Sequence, residues 1–348
     1  MQWLEQLRIL CEAFGPPGFE EDVRAMIKDF AIPLADRWEE DALGNLTVWR
    51  EGKNSDVVML DAHTDEVGFI VSHIDKNGFL RFAPLGGWDA RLFPGSRVIL
   101  KGEQGLVHGS IGFPPPHITS PEDRNKTTPA ENLTIDIGVA SQQEALDAGI
   151  TLGTPGILNG GFQELRKGRY LSKAFDDRVG CVNALRILQE VRQKKLPFTL
   201  AVNFATSEEL GLRGAKVAAF RIAPQVALVL ECTTAGDFPG VPEHQSPCKL
   251  GAGVALTIAD KSMVTSPRML RFLQDVAVKN KIPYQLKQPL FGGTNAGEIH
   301  LSRSGVLTGV LAVPSRYIHC PSSIVDSKDL ESQFQLTMAS LQSIPELL

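Results

Sequence analysis

The segment FTLAVNFATSEELGLRGAKVAAF, residues 198–220, passes from one kind of structure to another across an acidic junction. FTLAVNFAT (198–206) is almost continuously apolar, the pattern of a strand covered on both faces. LRGAKVAAF (212–220) spaces its apolar residues as a helix does. Glu208 and Glu209 stand between them. Taken alone, adjacent acids there read as a solvated turn or as carboxylates favoured at a helix start. They also stand at the carboxyl end of a strand, where open α/β sheets bind ligands.

The rhythm continues on both sides. DRVGCVNALRILQEVRQ (177–193) carries Val182, Leu185, Leu188 and Val191 at helical spacing. QVALVLEC (225–232) and GVLTGVLAV (305–313) read as strands, and SPRMLRFLQDVAVKN (266–280) as a helix. Upstream, LGNLTVWR (43–50) and DVVMLDAH (56–63) read as neighbouring strands. Alternating strands and helices predict an α/β fold, a mainly parallel sheet flanked by helices. Residues 67–163 have a different texture. FIVSHIDKNGFLRF turns at Lys76-Asn77-Gly78, and SRVILKGEQGLVHGSIGF holds further short strands. A short helix fits SQQEALDAG, and TSPEDRNKTTPAE (119–131) reads as a mobile loop. The expected organisation is a discontinuous α/β domain, 1–66 and 164–348, with an inserted β-rich domain at 67–163.

The 348 residues are 43% hydrophobic and 22% charged, ample for a large core. A net charge of −5 without a basic cluster argues against a nucleic-acid surface. No apolar run approaches the roughly 18 residues of a membrane span. MQWLEQLRILCEAFG places Trp3, Leu4, Leu7, Leu10 and Cys11 on one helical face, unlike a signal peptide. Five scattered cysteines without a CxxC pair suit a reducing, cytoplasmic setting.

Acidic and imidazole groups cluster at the predicted strand ends. HTDE (63–66) follows the second strand, Asp176 and Asp177 precede the long helix, and Glu208 and Glu209 close the FTLAVNFAT strand. Glu231 ends VALVL, and His319 follows the last strand across PSRY. Each alone has an ordinary reading as a cap or a surface polar residue. Converging on one rim, unpaired anions would repel and take up protons. A divalent cation, or two, resolves that conflict. Two histidines with three carboxylates suit a pair of metals: one carboxylate bridges, each ion gains one His and one further carboxylate, and positions stay open for water and substrate. A carboxylate outside the ligand set suits the role of base.

In order along the chain, AFGPPGFEEDVR, DALGNL, AHTDEVGF, LGGWDARLFPGSRV, GFPPPHI, KAFDDRVGC, SEELGLRGA, TTAGDFPG, GGTNAGEIHLSRSGV and RYIHCP resemble the motifs of the glutamyl/deblocking aminopeptidases. These are cytosolic co-catalytic metallopeptidases that include the tetrahedral aminopeptidases and members labelled endoglucanase. The resemblance implies N-terminal peptide hydrolysis by two divalent metal ions, zinc by default, with cobalt or manganese also compatible with such ligands. By motif, His63 and Glu231 resemble ligands of one metal, Glu209 and His319 ligands of the other, and Asp176 the bridging carboxylate. Glu208 resembles the general base. Asp65 resembles the acid that orients the His63 ring. The family often has a cis peptide between the residues matching Asp176 and Asp177. The inserted domain has a counterpart that forms dimers, and dimers build a hollow tetrahedral dodecamer. Peptides and copies of this chain are therefore the expected partners.

Three residues depart from the family pattern. Glu231 stands where Asp is common, a change that in related peptidases accompanies carboxypeptidase or deacylase action. Asn295 in GGTN replaces Asp beside the expected substrate loop. Cys320 replaces the Ser that follows the ligand His. His73, His108, His117, His244 and His300 read as structural or surface residues, with His117 the most arguable candidate to approach the site. A glycosidase reading needs two carboxylates flanking a sugar bond and gives His63, His319 and Asp176 no purpose. The remaining alternatives are a metal-dependent carboxypeptidase or deacylase and a non-catalytic, self-assembling protein with a vestigial site; the complete ligand set argues against the last.

Overall fold

The computed structural model describes residues 2–120, 122, 126–288 and 292–348. Positions 121 and 123–125 of the 119–131 loop thus lie outside the described residues. The chain begins with helices α1 (Gln2–Glu12) and α2 (Glu21–Ala31), the second burying Val23, Ile27 and Ala31 along one face. Strands β1 (Arg37–Glu40), β2 (Leu46–Arg50) and β3 (Val57–His63) follow.

Six strands then close a small barrel: β4 (Gly68–Ile74), β5 (Leu80–Leu85), β6 (Arg97–Gly102), β7 (Gly105–Gly112), β8 (Thr134–Asp136) and β9 (Pro155–Leu158). Helix α3 (Gln142–Asp147) lies between the last two. Phe69, Phe82, Phe93, Leu100 and Ile135 fill the barrel's own core. Gly78 holds the predicted hairpin turn with a φ of 88°.

The rest of the chain completes the larger sheet. It contributes β10 (Gln163–Glu164), β11 (Arg169–Ser172), α4 (Phe175–Val191), β12 (Thr199–Ala205), α5 (Arg213–Ile222) and β13 (Val226–Thr234). Then come β14 (Val254–Thr257), α6 (Pro267–Asn280), β15 (Tyr284–Lys287), α7 (Ala296–Ile299), β16 (Leu307–Arg316), β17 (Ser323–Asp326) and α8 (Ser327–Ser343). The sheet order is β1-β2-β12-β3-β13-β16-β17-β11-β10, with β14 pairing β16 and β15. The central run β12-β3-β13-β16 is parallel, while the flanking pairs β2/β12 and β16/β17 are antiparallel.

One expectation is corrected. LGNLTVWR and DVVMLDAH are not neighbours, because β12 lies between β2 and β3. Every residue of β12 is buried, so it needs partners on both edges and layers on both faces. Those faces differ. Leu200, Val202 and Phe204 join Leu60 and Leu228 in the large core beneath α1, α4 and α8. Ala201, Ala205 and Ala227 face Ala215, Ala218 and Ala219 of α5, where small side chains let helix and sheet approach closely.

Candidate metal centre

Parallel register brings the acidic junction and the first histidine together. Ala205 pairs with His63 across β12 and β3, so both chains leave the sheet at one level. Val229 pairs with Asp61, which carries Glu231, two residues on, to the same rim. Three rim loops then turn through non-glycine residues in the left-handed region: Ala174 (φ 55°), Ser207 (φ 52°) and His319 (φ 58°). Such conformations cost energy and concentrate at functional sites. Glu20 of the N-terminal segment secures one of them, accepting from the Ser207 amide at 3.0 Å and the Gly18 amide at 2.9 Å. The Asp176–Asp177 peptide is cis.

The predicted residues converge. Asp176 Oδ1 lies 3.0 Å from His63 Nε2, and Asp176 Oδ2 lies 3.2 Å from His319 Nε2. Glu231 Oε1 lies 3.5 Å from His63 Nε2, and Glu209 Oε1 lies 3.1 Å from His319 Nε2. Two triads of potential ligands therefore share Asp176: His63 with Glu231, and Glu209 with His319. Glu208 belongs to neither, although it forms a further close group with His63 and Glu209. His319 Nδ1 lies 2.7 Å from the Gly87 carbonyl, which fixes the tautomer that presents Nε2 to the acids.

Asp65 does more than its position in the sequence suggests. One oxygen lies 3.4 Å from His63 Nδ1, as expected of an orienting acid. Its two oxygens also accept the backbone N–H groups of Glu208 and Glu209, each at 3.0 Å. Asp177 likewise accepts from the amides of His63 at 3.3 Å and Gly180 at 3.0 Å. A Cβ on Gly180 would sit 2.3 Å from Asp177 Oδ2, so the glycine in KAFDDRVGC leaves room for that carboxylate.

Burial pushes the carboxyls of Glu208 and Asp177 well above the ordinary range, raises Glu209, and lifts Glu231 to about 7. Burial alone would raise Asp176 too, but hydrogen bonds from His319 and His63 hold it well below the usual carboxylate value. Burial works against charge on both imidazoles, yet their acidic neighbours keep His63 well above its ordinary value and His319 near 11. The cluster thus gathers positive charge wherever it can. Among the described residues Glu231 Oε2 is buried without a hydrogen-bond partner, an orphaned acceptor on a residue of this group. Hard oxygen and imidazole donors, an unsatisfied acceptor and excess negative charge fit divalent cations.

The remaining predicted positions separate clearly. His73, His108, His117 and His244 are exposed and outside the rim, and His300 lies against its own helix. Cys320 lines a narrow space behind Asp176 and His319. Asn295 does not face the substrate loop's open side; it is buried and donates to Asp61 at 2.8 Å. Sequence reasoning also passed over Lys173, Glu66 and Arg178. Lys173 Nζ binds Glu66 at 2.7 Å and the Ala13 carbonyl at 2.9 Å, and Arg178 Nη2 lies 3.6 Å from Glu66. This buried group ties the N-terminal segment to the loop that carries Asp176. Lys followed by an acidic helix start gives no periodic signal for it.

A helix-flanked sheet with this rim, joined to a small closed barrel, is the architecture of the TET aminopeptidases. The TET aminopeptidase of the marine sediment archaeon Thaumarchaeota archaeon SCGC AB-539-E09 superimposes with a TM-score of 0.94 at 37% identity, over 98% of each chain. The Pyrococcus horikoshii TET1 peptidase, described as assembling into a tetrahedron or a large octahedral shell, gives 0.86 at 31% identity, over 97% of this chain and 98% of that one. The glutamyl aminopeptidase of Lactococcus lactis subsp. cremoris is 33% identical over 94% of this chain and 93% of its own. The chain belongs to the M42 glutamyl aminopeptidase family, whose model matches residues 44–336. It is a metallo-aminopeptidase, a hydrolase of peptide bonds.

Proposed function

We propose that this chain removes N-terminal residues from peptides using two divalent ions, with Glu208 as the general base. The observation that carries the reading is the pair of triads sharing Asp176. His63, Asp176 and Glu231 would hold one ion; Asp176, Glu209 and His319 would hold the other. Zinc is the default for such donors, and cobalt or manganese also suits them. Bound there, such ions polarise a carbonyl and make a water molecule acidic near neutral pH.

The chain's own groups supply the proton transfers. Glu208 is nearly buried at the rim of the cavity and stands outside both triads. Its carboxylate takes a proton from the attacking water and returns it to the leaving amine. Asp65 positions it by holding its backbone amide.

Residues 1–66 and 164–348 act as the catalytic domain, and 67–163 as the dimerisation domain. The barrel exposes Leu106, Phe113, Ile118 and Leu152, which suits an interface between copies. The assembly named for the P. horikoshii peptidase supports dimers built into a tetrahedral dodecamer here. Light scattering that finds only monomer at micromolar concentration would refute this. Five unpaired cysteines support a cytoplasmic location.

A screen of unblocked and N-acylated peptides, after loading with zinc, cobalt or manganese, tests the activity. Release of N-terminal residues from unblocked peptides is expected. Release of C-terminal residues, or cleavage confined to acylated ones, would overturn it in favour of the carboxypeptidase or deacylase that Glu231 keeps in view.

A further inference from the structure

The segment AFGPPGFE, residues 13–20, joins α1 to α2 and is fastened to three of the rim loops. The Ala13 carbonyl accepts from Lys173 Nζ at 2.9 Å, on the loop that leads to Asp176. The Gly15 carbonyl accepts from the Glu66 amide at 3.0 Å, on the loop that follows His63. Glu20 Oε1 accepts from the Ser207 amide at 3.0 Å and lies 3.3 Å from Ser207 Oγ, beside Glu208 and Glu209. Two of these grips use backbone carbonyls, which any residue supplies. The third depends on one side chain. Glu20 is only 2% exposed and stands at the start of α2, yet its carboxylate makes no capping hydrogen bond to that helix. Acceptors at that position ordinarily bond the first turn of their own helix. A local rule set aside in this way is expected at functional positions.

We infer that Glu20 is a positioning residue: by holding the Ser207 amide it fixes the turn that aims Glu208 and Glu209. The inference rests on the two-ion reading of the site. Ser207 sits in the left-handed region with a φ of 52°, a conformation that a non-glycine residue keeps only when its surroundings impose it. From this turn three successive amides point at two buried carboxylates, Ser207 at Glu20, and Glu208 and Glu209 at Asp65. Asp65 ties the turn to the neighbouring loop after β3, and Glu20 ties it to a segment outside the sheet. Without an acceptor at position 20 the Ser207 amide loses its partner, and the turn relaxes toward an ordinary φ. Glu209 would then draw away from Asp176 and His319, while His63, Asp176 and Glu231 stay on other elements. The signature of the role is therefore weakening of one ion, not of both.

The test is calorimetric titration of cobalt into the metal-free full chain, with kcat and KM measured on an unblocked peptide at saturating cobalt. Wild type should take up two ions. Glu20→Met keeps the bulk of the side chain and Glu20→Ala clears it. Both remove the acceptor, and thermal melting shows that each folds. These variants should bind one ion as wild type does and the other about 10- to 100-fold more weakly. At saturating cobalt kcat should fall by about 10- to 100-fold, because the base is displaced, while KM moves by less than about twofold. Glu20→Gln keeps an oxygen acceptor at the same reach and should restore both ions and kcat. Equal weakening of both ions, or loss of an ion in Glu20→Gln, overturns the inference. Two ions in wild type with unchanged affinities in a folded acceptor-free variant sink the inference alone. A wild type that takes up a single ion sinks the two-ion reading and this inference with it.

Discussion

Asn295 donates from Nδ2 to Asp61 Oδ2 over 2.8 Å, and both side chains are fully buried. The other oxygen of Asp61 accepts from Asn203 Nδ2 at 2.7 Å, and Asn203 Oδ1 accepts from Thr47 Oγ1 at 2.9 Å. The network runs from β2 through β12 and β3 to the head of α7. It lies directly beneath the Gly292–Thr294 segment that rims the cavity. The amide at position 295 therefore answers a carboxylate on β3, not a substrate.

Asn295→Asp should accordingly destabilise the protein by roughly 3 kcal/mol, because it sets two buried carboxylates against each other and removes a donor. The new acid would have a folded-state pKa raised above its unfolded value. Its penalty is absent below the unfolded pKa, about 4, and grows as pH rises toward the folded one. The melting-temperature gap between variant and wild type should thus widen from acid to neutral pH. A constant gap would refute the pairing.

Asp65→Asn leaves one amide hydrogen of the Glu208–Glu209 pair facing an NH2 group. The expected cost is about 1–3 kcal/mol of stability. Activity or metal affinity should fall by roughly 10- to 100-fold, the usual effect of removing a group that orients ligands. Calorimetric metal titration separates the two. Wild-type affinity and activity in the variant would mean that Asp65 only fills space.

Much of this was legible in the sequence. Buried strands announce themselves as apolar runs, so β3, β12, β13 and β16 were recovered, together with the acids at their carboxyl ends. Sheet order was not, because periodicity reports burial and is silent on which strands pair; hence the misplaced β2 and β3. The triads followed from motifs in fixed order, not from spacing, since His63 and His319 are brought together only by the sheet. Asn295 was misread because its partner, Asp61, lies far away in the chain within an otherwise apolar strand.

Glu208→Gln should lower kcat by roughly 10²- to 10⁴-fold while leaving metal content intact. Burial raises the Glu208 carboxyl well above its ordinary value, and a base works only when deprotonated. Wild-type activity should therefore fall as pH drops through that pKa, and the residual activity of the variant should lack this acid limb. Elemental analysis alongside kcat/KM against pH checks both. Unchanged hydrolysis would remove Glu208 from the mechanism, and lost metal would make it a ligand.

Metal loading should expel protons. Without ions, His63 and His319 hold their protons against burial because Asp176, Glu209 and Glu231 surround them, and Glu231 itself titrates near 7. Ligation requires neutral imidazoles and ionised carboxylates. At neutral pH, titration calorimetry in buffers of different ionisation enthalpy should therefore report net proton release, and apparent affinity should weaken as pH falls. A chelator should lower the melting temperature, since ions at a hundred times their Kd contribute about 2.7 kcal/mol to the folded state. The shared carboxylate adds a stoichiometric test. His319→Ala removes a donor from one triad only and should leave the site formed by His63, Asp176 and Glu231 able to load. Asp176→Asn touches both triads and should weaken both ions together. Equal metal loss in the two variants would show that the triads do not act as separate sites joined at Asp176.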